Sequence, residues 1–95
     1  MSRAELLSPW HDHLALGLRR SPHTVRAYDK AASTLLAQLN LNSWDQVADI
    51  TAAQLRSHLA SRRLDGLSNA SAARELSALK GFIAFARAQA GHELS

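Results

Sequence analysis

The stretch from Ser68 to Arg87 limits the fold more than any other part of the chain. Ser68 sits where a helix N-cap belongs, just after the turn signal Asp65-Gly66. Ala72, Leu76, Leu79, Ile83 and Ala86 then recur at helical spacing and form one apolar stripe. At 100° per residue, Ala70, Arg74, Ser77, Ala78 and Gly81 fall on the other side. That face carries one long cation among small side chains, where a solvated helix usually carries more Glu and Lys. Two readings stay open from this stretch alone. One is an Ala-rich face in water; the other is a face that docks closely on something anionic.

A long helix with one apolar stripe needs other helices to cover it, and the remaining sequence supplies them. Leu6, Leu7, Trp10, Leu14 and Leu18 approximate one face of a first helix over 1–18. Ser8-Pro9 is a good cap and first-turn pair, so its well-formed part is expected to start at Pro9, with Gly17 as the stop. Ser21-Pro22 opens a second helix with the same device. Its stripe is Val25, Tyr28, Ala32, Leu35, Leu36 and Leu39, and its outer face carries His23, Arg26, Ala27, Lys30, Ser33 and Thr34. Asp29 stands next to that basic face and is placed to neutralise one of its cations. Asn40 to Ser43 breaks the helix. Ser43-Trp44-Asp45-Gln46-Val47 then gives one helical turn, with Trp44, Val47 and Ile50 directed to the core. Thr51-Ala-Ala-Gln54 is a capping box that starts the third full helix. Leu55 and Leu59 face in, Arg56, Arg62 and Arg63 face out, and His58 is expected at the surface or its boundary. The fourth helix, from Ser68, runs to about Ala90 and stops at Gly91, and His92 to Ser95 trails off. The fold class is therefore all-α: four helices and one short turn before the third.

Composition agrees and excludes several functions. Apolar residues make up 46% of the chain, enough for one modest core in 95 residues. Alanine and leucine dominate and β-branched residues are few, which favours helix. With no cysteine, a disulfide framework and a thiolate metal site are both excluded. His11 and His13, two residues apart, point to different faces and make a poor metal pair. No apolar run reaches membrane-spanning length, and Leu6-Leu7 is too short for a signal peptide. There is no glycine-rich phosphate loop, and the acids are scattered, so no catalytic residues, cofactor, metal or small-molecule substrate are expected. The net charge is +3 and the cations are almost all arginine, a weak pointer to a polyanion. Two helices begin with a hydroxyl cap followed by an outward Arg: Ser21, Thr24 and Arg26 in the second, Ser68, Ser71 and Arg74 in the fourth. Helix N-termini offer N–H groups to phosphate oxygens, and an Arg one turn further in can reach a guanine edge in a major groove. For Arg26 and Lys30 a plain solvated face is the ordinary alternative. For Tyr28 and Trp44 core packing outweighs chemistry or base stacking.

Three of these segments resemble a known family. Ser21-Pro-His-Thr24-Val-Arg-Ala-Tyr28 is similar to the opening of the second helix in Xer-type tyrosine recombinases, and Gly66-Leu-Ser68 with Arg74-Glu-Leu-Ser-Ala-Leu79-Lys-Gly-Phe82 is similar to their fourth. Ser43-Trp44 through Val47 and Ile50-Thr51 match the segment between, and the likeness runs from about Leu6 to Gly91. The resemblance implies a SAM-like core-binding domain over 1–91 with the interdomain linker starting at 92–95. It implies half of a clamp around duplex DNA, with the second and fourth helices at the major groove and a larger C-terminal domain that cuts and joins. On that resemblance His23, Thr24, Arg26 and Ala27 fall on contact positions of the second helix, with Lys30 one turn beyond. Ser71, Arg74 and Lys80 fall on or beside those of the fourth. The first helix would meet a neighbouring protomer, and a full-length parent would pair with a sister recombinase to resolve chromosome dimers in bacterial cytoplasm. The family's catalytic Arg, Lys, His and Tyr belong to the C-terminal domain. Tyr28 matches a core position, so a fragment that binds DNA weakly and cleaves nothing is expected. Gly81 departs from the family, which has Ser or a larger polar residue there, and Phe85 is expected on the outer face, toward the linker. Two alternatives use the same faces: the core-binding domain of a phage or transposon integrase, and a helical protein–protein interaction domain.

Overall fold

The computed structural model describes residues 1–91; the linker and tail expected at 92–95 lie outside the described residues. The chain forms α1 (Arg3–Asp12), a π-helical turn (His13–Gly17), α2 (Pro22–Gln38), α3 (Trp44–Ala48), α4 (Ala52–Leu64) and α5 (Asn69–Gln89). The short α3 is the single turn expected before the third long helix. The helix starts are set by hydroxyl caps. Ser21 accepts from the Thr24 amide, Ser43 from that of Gln46, and Ser68 from that of Ser71. Thr51 and Gln54 close a reciprocal box, at 3.1 and 2.9 Å. Two helix ends share one device. After α2, Asn40 turns left-handed (φ 53°) and the Leu41 amide reaches back to the Leu36 carbonyl. After α4, Gly66 (φ 102°) does the same and Leu67 bonds to Arg62. In both, the reversal satisfies a carbonyl that the helix end leaves open.

α5 is the spine, with α2, α3 and α4 packed around it and α1 laid along α2. Phe82 and Leu79 of α5 are fully buried, against Leu35 and Leu36 of α2 and Val47 of α3 in one continuous core. Trp10 of α1 meets Phe82 edge to face at 5.3 Å. Trp44 reaches Phe82 and Phe85 from α3, at 6.0 and 5.5 Å. The inward roles expected for Trp44, Val47 and Ile50 are those observed.

Several expectations need correcting. α1 starts six residues before Pro9, at Arg3, with Ser2 as its cap. Pro9 lies inside it and is exposed. An interior proline removes one helix hydrogen bond at a cost of about 3 kcal/mol, and here burial of Leu6, at about 1.5–3 kcal/mol, offsets much of that. Arg3 adds a clasp by donating to Asn40 Oδ1 (2.8 Å) and the Leu41 carbonyl (3.4 Å). His58 is buried, only 3% exposed. It shares the inward arc of α4 with Leu55 and Leu59. Arg62, expected outside, lies one turn further on that arc and pairs with Glu75 of α5. Ala78, placed on the outer face by the wheel, is buried where α2 and α5 approach, as is Ala31. Phe85 turns inward to stack with His13 at 4.8 Å and Trp10 at 5.6 Å. Asp29 pairs with His11 of α1 at 2.6 Å instead of with a cation of its own helix.

Candidate nucleic-acid interface

The N-terminal halves of α2 and α5 lie side by side because the two helices cross on small residues. Ala27 and Ala31 of α2 and Ala78 of α5 line one groove between them. Larger side chains there would hold the backbones apart. Tyr28 is half-buried: it packs on the core and lines the groove at the same time. At one end of the groove His23 and Thr24 stand opposite Arg74. Further along, Lys30 faces Ser71, Arg74 and Glu75, and Arg62 joins from α4.

Of the residues selected from sequence, His23, Thr24, Ala27, Lys30, Ser71 and Arg74 thus line two adjoining hollows that have Ala27, Tyr28 and Arg74 in common. Arg26 is exposed beside it and donates from Nη2 to His23 Nδ1 at 2.9 Å. This bond makes Nδ1 the acceptor and leaves the ring proton of neutral His23 on Nε2. Lys80 lies elsewhere. It is about 120° round the helix from Arg74, in a separate hollow with Thr51, Ile83 and Arg87. Sequence reasoning missed Arg62, Glu75 and Leu67 as groove residues. Glu75 follows Arg74 directly, and Arg62 continues the arc from Leu55, but only the α4–α5 packing makes them neighbours.

The groove carries cations, hydroxyls and two helix N-termini, of α2 and α5, whose positive dipole ends favour anions. Its one carboxylate, Glu75, is taken up by Arg62 Nε at 2.9 Å, with Nη2 at 3.5 Å. Asp29 is likewise engaged by His11. Neither acid therefore cancels Arg74 or Lys30. Among the described residues, no three His, Asp or Glu side chains come together to hold a metal ion. No helix of the described residues is long and apolar enough to cross a membrane.

A helical domain with this groove between its second and last helices matches a family in sequence as well. Residues 7–90 match the phage integrase N-terminal SAM-like domain, and the chain belongs to that family. Its relatives include the tyrosine recombinase XerC of Haemophilus influenzae strain KW20, 37% identical over 82 residues, or 83% of this chain and 27% of that protein. XerC of Actinobacillus succinogenes is 38% identical over the same shares, and that of Pseudomonas syringae pv. tomato is 40% identical over 73 residues, 74% of this chain and 23% of the relative. The chain therefore spans about a quarter of the length of these relatives. The Xer-type resemblance of Ser21–Tyr28 and Gly66–Phe82 is upheld by proteins of that name. No solved structure matched the chain.

Proposed function

We propose that this domain binds duplex DNA through the groove between α2 and α5, as the core-binding part of a site-specific tyrosine recombinase. The observation that carries the reading is the meeting of His23 and Thr24 with Arg74 across that groove, beside Lys30 and Ser71. Thr24, Ser71 and Lys30 hold phosphates, while Arg26 and Arg74 extend to base edges. Ala27 lets the phosphate backbone come close. Lys80 meets DNA only beyond the groove, where the duplex curves past α5. Cutting and joining belong to a partner domain of the full-length recombinase. That enzyme assembles with sister protomers on DNA in the bacterial cytoplasm, in the manner of chromosome dimer resolution.

The test is a titration of the domain into a Xer-type recombination site and a scrambled duplex, at two salt concentrations. With about four phosphates neutralised, affinity falls roughly a hundredfold when salt rises fourfold. Arg74→Ala removes the preference for the site, by about tenfold for one base contact. Equal binding of both duplexes by both proteins would leave only an electrostatic clamp. No binding at low salt would favour a protein–protein interaction domain.

A further inference from the structure

Beside the groove, α4 and α5 bury a polar set that the proposed DNA contacts do not use. The Glu75 side chain is only 9% exposed and Arg62 is its ion-pair partner. The His58 ring is fully buried at 0% side-chain exposure, with Nε2 at 3.8 Å from Glu75 Oε1. Neither nitrogen of that ring has a hydrogen-bond partner. Buried polar groups are rarely left so, because each lost bond costs about 1–3 kcal/mol. Glu75 thus has one partner in place and a second one turn away.

We propose that Arg62 is a further phosphate-binding residue, released to DNA when Glu75 passes from its guanidinium to a protonated His58. The inference rests on the reading of the α2–α5 groove as the DNA surface. Arg62 already lines that groove, and Glu75 occupies only part of its five-donor fork. A phosphate drawing Arg62 outward leaves a nearly buried carboxylate without a cation, which is costly. His58 removes that cost by taking a proton and closing on Glu75. The charged groups around His58 work in this direction. Burial lowers its pKa below the ordinary value, Glu75 raises it, and Arg62 lowers it. Moving Arg62 to a phosphate takes away one of the two depressing effects and keeps the raising one. From α2, the neighbours across the hollow at His58 are Gln38 and Leu39, which carry no charge. DNA binding is thereby coupled to proton uptake, and affinity rises as pH falls.

The direct measurement is the NMR titration of the His58 ring in the free domain and in the domain saturated with a duplex of random sequence. Its midpoint is expected to move up by about one unit on binding, equivalent to about tenfold tighter binding at low than at high pH. Affinity is then followed from about pH 5.5 to about pH 8, the range in which histidines titrate. H58Q is expected to flatten the pH dependence and R62Q to flatten it and weaken binding. H23Q, which alters a groove histidine, is expected to keep it. An unmoved His58 midpoint in the wild-type complex overturns the inference whether or not H58Q folds. So does a pH dependence that survives H58Q and vanishes in H23Q. Binding with an unmoved His58 leaves the DNA reading standing. Failure of the wild type to bind at any pH overturns that reading and the inference together.

Discussion

His11 and His58 make opposite demands on pH. The hydrogen bond to Asp29, and then its charge, raise the pKa of His11. Its contribution is fully present below the unfolded value of about 6.5 and is lost as pH rises through the folded value. For His58, burial lowers the pKa, so folding is disfavoured as pH falls from about 6.5 toward the folded value. Together these two groups place their stability optimum near pH 6.5. Asp29→Asn should erase the alkaline side of it, as read by urea unfolding at a series of pH values. Gly81 is the other informative residue. A Cβ there would meet the Trp10 ring at 3.4 Å, an ordinary contact. Gly81→Ala should therefore stabilise the domain by up to about 1 kcal/mol through helix propensity. A longer side chain would have to run across the indole. An alkaline side that survives Asp29→Asn, or destabilisation by the alanine, would refute these assignments.

At the scale of elements, the capping residues account for most of what the sequence reveals. Ser21, Ser43, Thr51 and Ser68 are the caps that their local motifs predict, because a cap and its helix lie within four residues. Thr51→Ala should cost about 1 kcal/mol by opening the box with Gln54. α1 shows where local reading fails. Ser8-Pro9 has the form of a helix start, yet the start is fixed from a distance, by Leu6 in the core and Arg3 on the α2–α3 connection. Since Pro9 is exposed within a continuous helix, Pro9→Ala should stabilise by about 2 kcal/mol, the recovered helix bond less the entropy returned to the unfolded chain. An unchanged urea midpoint would mean that the helix starts at Pro9 in solution.

For the whole molecule, the helix order and the α2 stripe were legible because they are periodic. The groove was legible only in part. Thr24, Ala27 and Arg74 could be selected from two similar helix openings, but Arg62, Glu75 and His58 become a set only when α4 packs on α5. Lys80 was separable from Arg74 on the wheel, and resemblance to the family grouped them nonetheless. Phe82 joins α1, α3 and α5 at one point. Phe82→Ala should cost about 3–5 kcal/mol, enough to unfold much of a domain this small, as circular dichroism during heating would report. The central place of α5 has a consequence for biosynthesis. The chain leaves the ribosome with α1 to α4 first, while Leu79, Phe82 and Ile83, which complete the core, come last. At about 5–20 residues per second, the 21 residues of α5 take roughly one to four seconds to make. Throughout that interval the nascent α2 and α3 expose apolar faces that only a helix still being translated can cover.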